Sequence, residues 1–359
     1  MRIVQMISKN DRYGAQRVFL DQVAALRDLG QEVVVVARGN AGYVADAVRS
    51  LGVRYHGIPM KGLSDLLFLR RLVRELGIDV IHSTLDRADY LGAAVGMLTR
   101  RPIVSSMAVR RYYPAFRFMD RITVVSRLQQ RLLERKGIPS ERITLLRPGI
   151  DVTRFSKPDP DKRDAWRKKL HIERYSMVFC HIASMHQRKA HRVSLELVKA
   201  CKRRGEDPLL VIIGDPLEGE YYESLLRQAQ ADGITENVVF TGWTPEVPEI
   251  LSLSHFTVLP SENEALGLVL MEGMAAGTPI VAREGEGGAE LVEEYGTGLL
   301  YRPSEGVTDL ADKILVLWRD PVRYKELSEK CRNVAQTEFS MVRFGERLMS
   351  VYRDITGQV

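Results

Sequence analysis

The sequence predicts an α/β protein of two domains, each a parallel sheet with helices on both faces. Length is the first reason: 359 residues exceed the span over which one hydrophobic core usually keeps growing, so two domains of roughly 160 to 190 residues are expected. Patterning is the second. Short apolar runs of strand length alternate with stretches of helical periodicity along the whole chain, and that alternation belongs to parallel sheets whose crossovers are helices. The third is a break in the pattern at Ser156-Lys-Pro-Asp-Pro-Asp-Lys162, prolines and charge without apolar periodicity, which reads as a linker.

In the first domain the runs Ile3–Ile7, Glu32–Ala37, Val53–Ile58, Asp79–His82, Pro102–Ser106 and Arg121–Val125 read as strands. The clearest helix is Ala15–Leu29, with Val18, Phe19, Val23, Leu26 and Leu29 on one face and Gly30 as its stop. Between the first strand and that helix lies the loop Asn10–Gln16, containing Gly14; free backbone N–H groups at such a helix start suit an anion. The second domain repeats the alternation with strands at Met177–Ala183, Leu209–Ile213, Val238–Phe240, Phe256–Leu259, Ile280–Ala282 and Leu299–Tyr301. Helices around Val307–Arg319, Pro321–Thr337 and Ser340–Thr356 end the chain, and Phe344, Leu348, Val351 and Tyr352 give the last one a docking face.

The chemistry gathers in Pro260–Met274. An apolar strand precedes it, helical spacing begins at Leu266 and runs to Gly277, and the Glu-Asn-Glu-Ala loop therefore sits at a strand's carboxyl end and a helix's amino end. Open α/β sheets bind ligands there. Glu264 and Glu272 are eight residues apart, which on a continuous helix means roughly 12 Å of rise. That is too far for two acids flanking one glycosidic bond at the ~5 to 9 Å of hydrolases.

Composition removes several classes. Cys180, Cys201 and Cys331 are the only cysteines, too few for a disulfide framework or a four-cysteine zinc site. No run of about 18 apolar residues occurs, and Met1 leads directly into a strand, so neither a membrane span nor an export signal is expected. A cytoplasmic protein is the simplest reading. Residues 1–160 carry 27 Lys and Arg against 15 Asp and Glu, while the rest carry 25 against 31. Nine arginines fall within Leu98–Lys136. They suit anionic lipid headgroups, hence peripheral association at the inner face of a membrane, or a phosphate-bearing acceptor, or a solvated surface. Nucleic acid is disfavoured because no RNA-binding signature accompanies them. Asp159-Pro-Asp161 sits in the linker and reads as solvated, not as a metal site. His181, His186 and His191 do not share one helical face, so core or cap histidines are expected.

Glu264, Gly267 and Glu272 together resemble the Glu-x7-Glu signature of retaining glycosyltransferases of the GT-B fold, family 4. Gly242-Trp-Thr-Pro-Glu-Val-Pro-Glu-Ile-Leu251, Ala276-Gly-Thr-Pro-Ile-Val281, Gly287-Gly-Ala-Glu290 and Gly296-Thr-Gly-Leu-Leu300 resemble the family in order and spacing. The resemblance implies two Rossmann-like parallel-sheet domains facing across a cleft, with a C-terminal helix crossing back to the first domain. The boundaries expected are 1–158 for an acceptor-binding domain, 159–339 for a nucleotide-sugar donor domain and 340–359 for the returning helix.

Residue by residue, the resemblance carries over as follows. Lys189 matches the family lysine that meets the leaving diphosphate. Ala183 and Ser184 stand where Gly and Arg are usual, so Arg188 or Arg192 is the arginine expected to reach the same oxygens. Leu266, Gly267, Leu268 and Gly214 are placed at the donor, with Glu272 on its ribose and Glu264 on its sugar. On the acceptor or cleft side stand Gly14, where the family has Gly-Gly and this chain Tyr13-Gly14, His82 in a segment resembling Asp-Val-Val-His, and Arg110 and Arg111. The last two lie beyond Met107 and Ala108, where relatives carry a cleft histidine. The family works without a metal or other cofactor, its co-substrate being a nucleotide sugar.

The expected function is therefore retaining, metal-independent transfer of a hexose-type sugar from a nucleotide-diphosphate donor to a glycan or glycolipid acceptor of the cell envelope. Two rivals are a non-catalytic sugar-nucleotide-binding protein and an epimerase of the same architecture. A nicotinamide dehydrogenase is disfavoured because no Gly-x-Gly-x-x-Gly follows a strand.

Overall fold

A computed structural model describes residues 1–11 and 13–358, so Arg12 of the loop Asn10–Gln16 lies outside the described residues. The chain forms two compact units, Met1–Gly149 with Met341–Val359, and Ile150–Ser340.

In the first unit the strands are β1 (Arg2–Ile7), β2 (Glu32–Arg38), β3 (Arg54–Ile58), β4 (Val80–Thr84), β5 (Ile103–Met107), β6 (Arg121–Val124) and β7 (Ile143–Leu145). The helices between them are α1 (Gly14–Asp28), α2 (Tyr43–Ser50), α3 (Gly62–Glu75), α4 (Asp86–Thr99) and α5 (Arg127–Arg135). All strand pairs are parallel, in the order β3-β2-β1-β4-β5-β6-β7. The valines of β2 are buried on both faces of the sheet, some under α1 and others under α3, as a doubly covered parallel strand requires.

The second unit begins with α6 (Val152–Ser156) and α7 (Pro160–Lys169). It continues with β8 (Met177–Ile182), α8 (His191–Lys202), β9 (Pro208–Ile213), α9 (Gly219–Ala231), β10 (Val238–Gly242), α10 (Val247–Ser252), β11 (Phe256–Leu259) and α11 (Leu268–Ala276). Then come β12 (Ile280–Arg283), α12 (Ala289–Tyr295), β13 (Gly298–Tyr301), α13 (Gly306–Trp318) and α14 (Pro321–Glu338). Its six strands are parallel in the order β10-β9-β8-β11-β12-β13. The three cysteines are buried and unpaired, and burial pushes each thiol up to about 12.

The chain ends in α15 (Met341–Thr356), which returns to the first unit and packs on α1. Phe344, Leu348, Val351 and Tyr352 are all buried there.

The stretch Ser156–Lys162 is not an irregular linker. Asp159 caps α7, its carboxylate accepting from the N–H groups of Asp161 and Lys162, and Pro160 occupies the first turn. Proline fits there because that position has no intrahelical N–H bond to lose. Gly149 ends the first unit, ahead of the expected 158, because Ile150 already belongs to the second. Its N–H donates to the Phe339 carbonyl at 2.8 Å, and α6 packs on α10 and α11.

Candidate functional site

Each sheet reverses its strand order once, at β1/β4 and at β8/β11. Crevices at the carboxyl ends of such neighbours are where open parallel sheets bind ligands. In the second unit the loops leaving β8 and β11 carry Lys189 and Glu264. Lys189 Nζ donates to Glu264 Oε2 at 2.5 Å, with side chains only 14% and 17% exposed. A pair this sheltered is screened far less than a surface salt bridge.

The backbone of Glu264 is fixed from a third loop. Its N–H donates to Glu286 Oε2 at 3.0 Å, and its carbonyl accepts from the Gly287 N–H at 3.1 Å. Gly287 permits this approach, because a Cβ there would lie 1.8 Å from the Ala265 carbonyl oxygen. Two further links tie the loop down: the Glu262 N–H donates to the Arg188 carbonyl at 2.7 Å, and Arg283 pairs with Glu262 at 3.1 Å. No motif in the sequence marks Arg283 or Glu286, and Glu262 stands out only as the first acid of the Glu-Asn-Glu-Ala loop. The only signal for the loop of Glu286 was the Gly287-Gly288 pair, which marks a close backbone approach without saying to what.

Leu266 is buried and Gly267 caps α11 with φ 89°, a conformation glycine adopts without strain. The Leu270 N–H at the start of α11 donates to the Gly267 carbonyl at 3.0 Å, while the amides of Leu268 and Val269 precede any intrahelical acceptor and with the helix dipole favour an anion. Glu272 lies one turn further, 2% exposed in a helix buried on most sides. Gly214 closes β9, where a Cβ would sit 1.9 Å from the Ala183 carbonyl oxygen. The close packing of strand ends explains this glycine without a ligand. Arg188 is exposed at the turn Gln187–Lys189. Arg192 instead donates to Ser224 and Gln228 on α9, which leaves Arg188 as the arginine available to the loop.

The histidines of this region are structural groups. His181 at the end of β8 and His191 at the start of α8 stack with ring centroids 4.3 Å apart and planes within 9°. Burial holds His191 down at about 4 and His181 well below its usual range, so both rings are neutral near pH 7. His181 Nδ1 meets the Ser194 hydroxyl at 2.8 Å, and His186 caps the turn before Lys189 by accepting from the Arg188 N–H. Among the described residues no group of three His, Cys, Asp or Glu is placed to hold a metal ion.

In the first unit Gly14 opens α1, and nothing lies within 4 Å of where its Cβ would be. Arg111 is exposed over the Tyr113 ring at 5.6 Å, and Arg110 is half-buried. The expectation for His82 is corrected. It lies in the central strand β4, fully buried, with Nδ1 2.6 Å from the Tyr352 hydroxyl and Nε2 2.8 Å from Ser106 Oγ. Both nitrogens are satisfied inside the core, so it faces no ligand.

A cation, an acid and a helix N-terminus at a sheet's switch point define a site for a ligand that carries both an anionic group and hydroxyls. The profile of Glycosyl transferases group 1 matches residues 162–337, and that of Glycosyltransferase Family 4 matches residues 13–154. The chain belongs to this family of GT-B glycosyltransferases. It is 26% identical to an alpha-D-kanosaminyltransferase of Streptomyces kanamyceticus over 65% of this chain and 60% of that enzyme. It is 23% identical to an Escherichia coli UDP-Gal:alpha-D-GlcNAc-diphosphoundecaprenol alpha-1,3-galactosyltransferase over 95% and 94%. The chain thus spans less than two thirds of the length of the first curated relatives it matches. Anabaena HepE, solved with UDP, superposes with a TM-score of 0.87 at 19% identity over 99% of this chain and all of that one.

Proposed function

We propose that this chain is a retaining glycosyltransferase that moves a sugar from a nucleoside-diphosphate donor to a glycan or glycolipid precursor of the cell envelope. The observation that carries it is the Lys189–Glu264 pair at the β8/β11 switch point of a family member. Sugar transfer builds negative charge on the departing diphosphate. A fixed cation and helix-start amides stabilise that charge without reorganising. In this reading Lys189, with Arg188, meets the diphosphate, Leu266 to Leu268 supply the helix start, Glu264 takes hydroxyls of the sugar and Glu272 those of the ribose. The Glu-x7-Glu spacing supports retention. Lys189 and the helix dipole occupy the electrostatic role a divalent cation would otherwise fill, so no metal is required.

Relatives named for phosphatidylinositol- and undecaprenol-linked acceptors support an envelope acceptor. No helix among the described residues is long and apolar enough to cross a membrane, and access to a lipid-linked acceptor would be by peripheral docking. The test is turnover of a panel of nucleotide sugars with envelope extracts, with chelator present, and with the product anomer assigned by NMR. Lys189→Ala should lower turnover by about 10² or more while leaving the fold intact; a change within about twofold removes the phosphate role. A binding-only protein is the second reading, favoured by Ser184 where the family has Arg. Donor binding without turnover in any extract would select it.

A further inference from the structure

The cation of the site is neutralised by the side chain meant for the sugar. Lys189 Nζ and Glu264 Oε2 are 2.5 Å apart and largely sheltered from water. The loop of Glu264 is tied down on three sides. Glu286 holds its N–H, Gly287 holds its carbonyl, and the Arg283–Glu262 and Glu262–Arg188 links anchor the residues before it. Whatever anion binds Lys189 must therefore compete with a carboxylate that stays in place.

We propose, resting on the donor-site reading above, that Glu264 sets the preference of the site for an intact nucleotide sugar over the bare nucleoside diphosphate. A diphosphate that draws Lys189 away strands the carboxylate beside new negative charge, and like charges at close range repel. A hexosyl group on the same diphosphate donates hydroxyl hydrogens to Glu264 and replaces the lost ammonium partner. The bare diphosphate has no such donor. Once the sugar is gone, Lys189 returns to Glu264, and the pair assists release of the nucleotide product. A carboxylate that merely bound sugar would strengthen donor binding and leave the diphosphate unaffected; this one also weakens the diphosphate.

The experiment is calorimetric titration of the full chain with UDP, GDP, UDP-glucose and GDP-mannose, comparing wild type with Glu264→Gln, Glu264→Ala and Lys189→Ala. Glu264→Gln keeps shape and can still accept from Lys189 but carries no charge. It should tighten the preferred diphosphate by about tenfold, the scale of one charge-assisted interaction, and weaken the matching sugar nucleotide. Glu264→Ala should move both in the same directions, and Lys189→Ala should weaken both ligands. A diphosphate affinity unchanged within about twofold, or weakened, in both Glu264 variants overturns the inference while leaving the donor site standing. Absence of binding of all four ligands to the wild type would instead overturn the donor-site reading itself, and the inference with it.

Discussion

The Tyr352 hydroxyl of α15 lies 2.6 Å from Nδ1 of His82 on β4 and accepts from Gln5 Nε2 on β1 at 2.9 Å. The network continues from His82 Nε2 to Ser106, and from Ser106 to Thr123 and Gln22. Residues far apart in sequence thus meet in one buried polar cluster under the sheet, and the cluster fixes where the last helix docks. Removing one partner of such a network costs the desolvation of those left behind. Tyr352→Phe keeps the ring and should destabilise the protein by about 1–3 kcal/mol, read as a lower urea midpoint at unchanged slope. A midpoint equal to wild type would mean that packing of the ring, not its hydroxyl, seats α15.

Asp89, at the start of α4, is fully buried and accepts from Ser83 and Ser105 at 2.7 Å each. Burial raises its carboxyl from 3.8 to about 7. The folded state therefore holds a proton that the unfolded state has already released, so this stabilisation is complete below pH 3.8 and is lost as pH rises to about 7. His82 works in the opposite direction: burial lowers it from 6.5 to about 3, and stability is lost as pH falls below 6.5. Asp89→Asn keeps an oxygen for both serines and removes the ionisation. Its stability relative to wild type should be greater at pH 8 than at pH 5 in paired urea titrations. An equal difference at both pH values would show that Asp89 does not titrate in this range.

Most of the fold was legible because buried parallel strands are apolar on both faces and stand out as runs. The strand β7 was missed because Ile143–Leu145 offers three residues and no such run. The expected linker hid a helix start whose signals, Asp159 followed by Pro160, are also those of a turn. At the site, Lys189, Glu264 and Gly267 were visible because the stretches that carry them resemble the family's motifs. Glu286 was not, since it acts on a backbone N–H of another loop, a relationship made only by folding. Ala190 shows the same limit: it adopts φ 54° directly after Lys189, and only the backbone reveals the strain. His82 was misplaced because the strand does not end there: β4 runs on to Thr84, which sets the ring mid-strand inside the core instead of at the carboxyl end.

The surface of the first unit offers a test of the proposed lipid-linked acceptor. Leu63 and Leu67 on α3 and Tyr90, Met97 and Leu98 on α4 are at least half exposed. Between the two helices lies a groove of about 370 Å³ lined by Met60, Leu66, Arg87, Tyr90 and Leu91. Arg71, Arg74, Arg100 and Arg101 are exposed on the same two helices or just beyond them, and Arg111 and Arg117 follow. Exposed apolar side chains and exposed arginines on the same two helices suit the boundary of an anionic bilayer, where each basic residue contributes ~1 kcal/mol and salt weakens the effect. Wild-type protein should co-sediment with vesicles in proportion to their anionic lipid content, and less so at near-physiological than at low ionic strength. Changing Arg110, Arg111 and Arg117 together to Ser should lower the partition coefficient by roughly 10², the sum of three such contributions. Changing Leu67 and Leu98 to Ser should lower binding at both salt concentrations, because the apolar contribution is not screened. Binding independent of anionic lipid at either salt, with both variants indistinguishable from wild type, would remove the membrane surface and leave an acceptor met in solution.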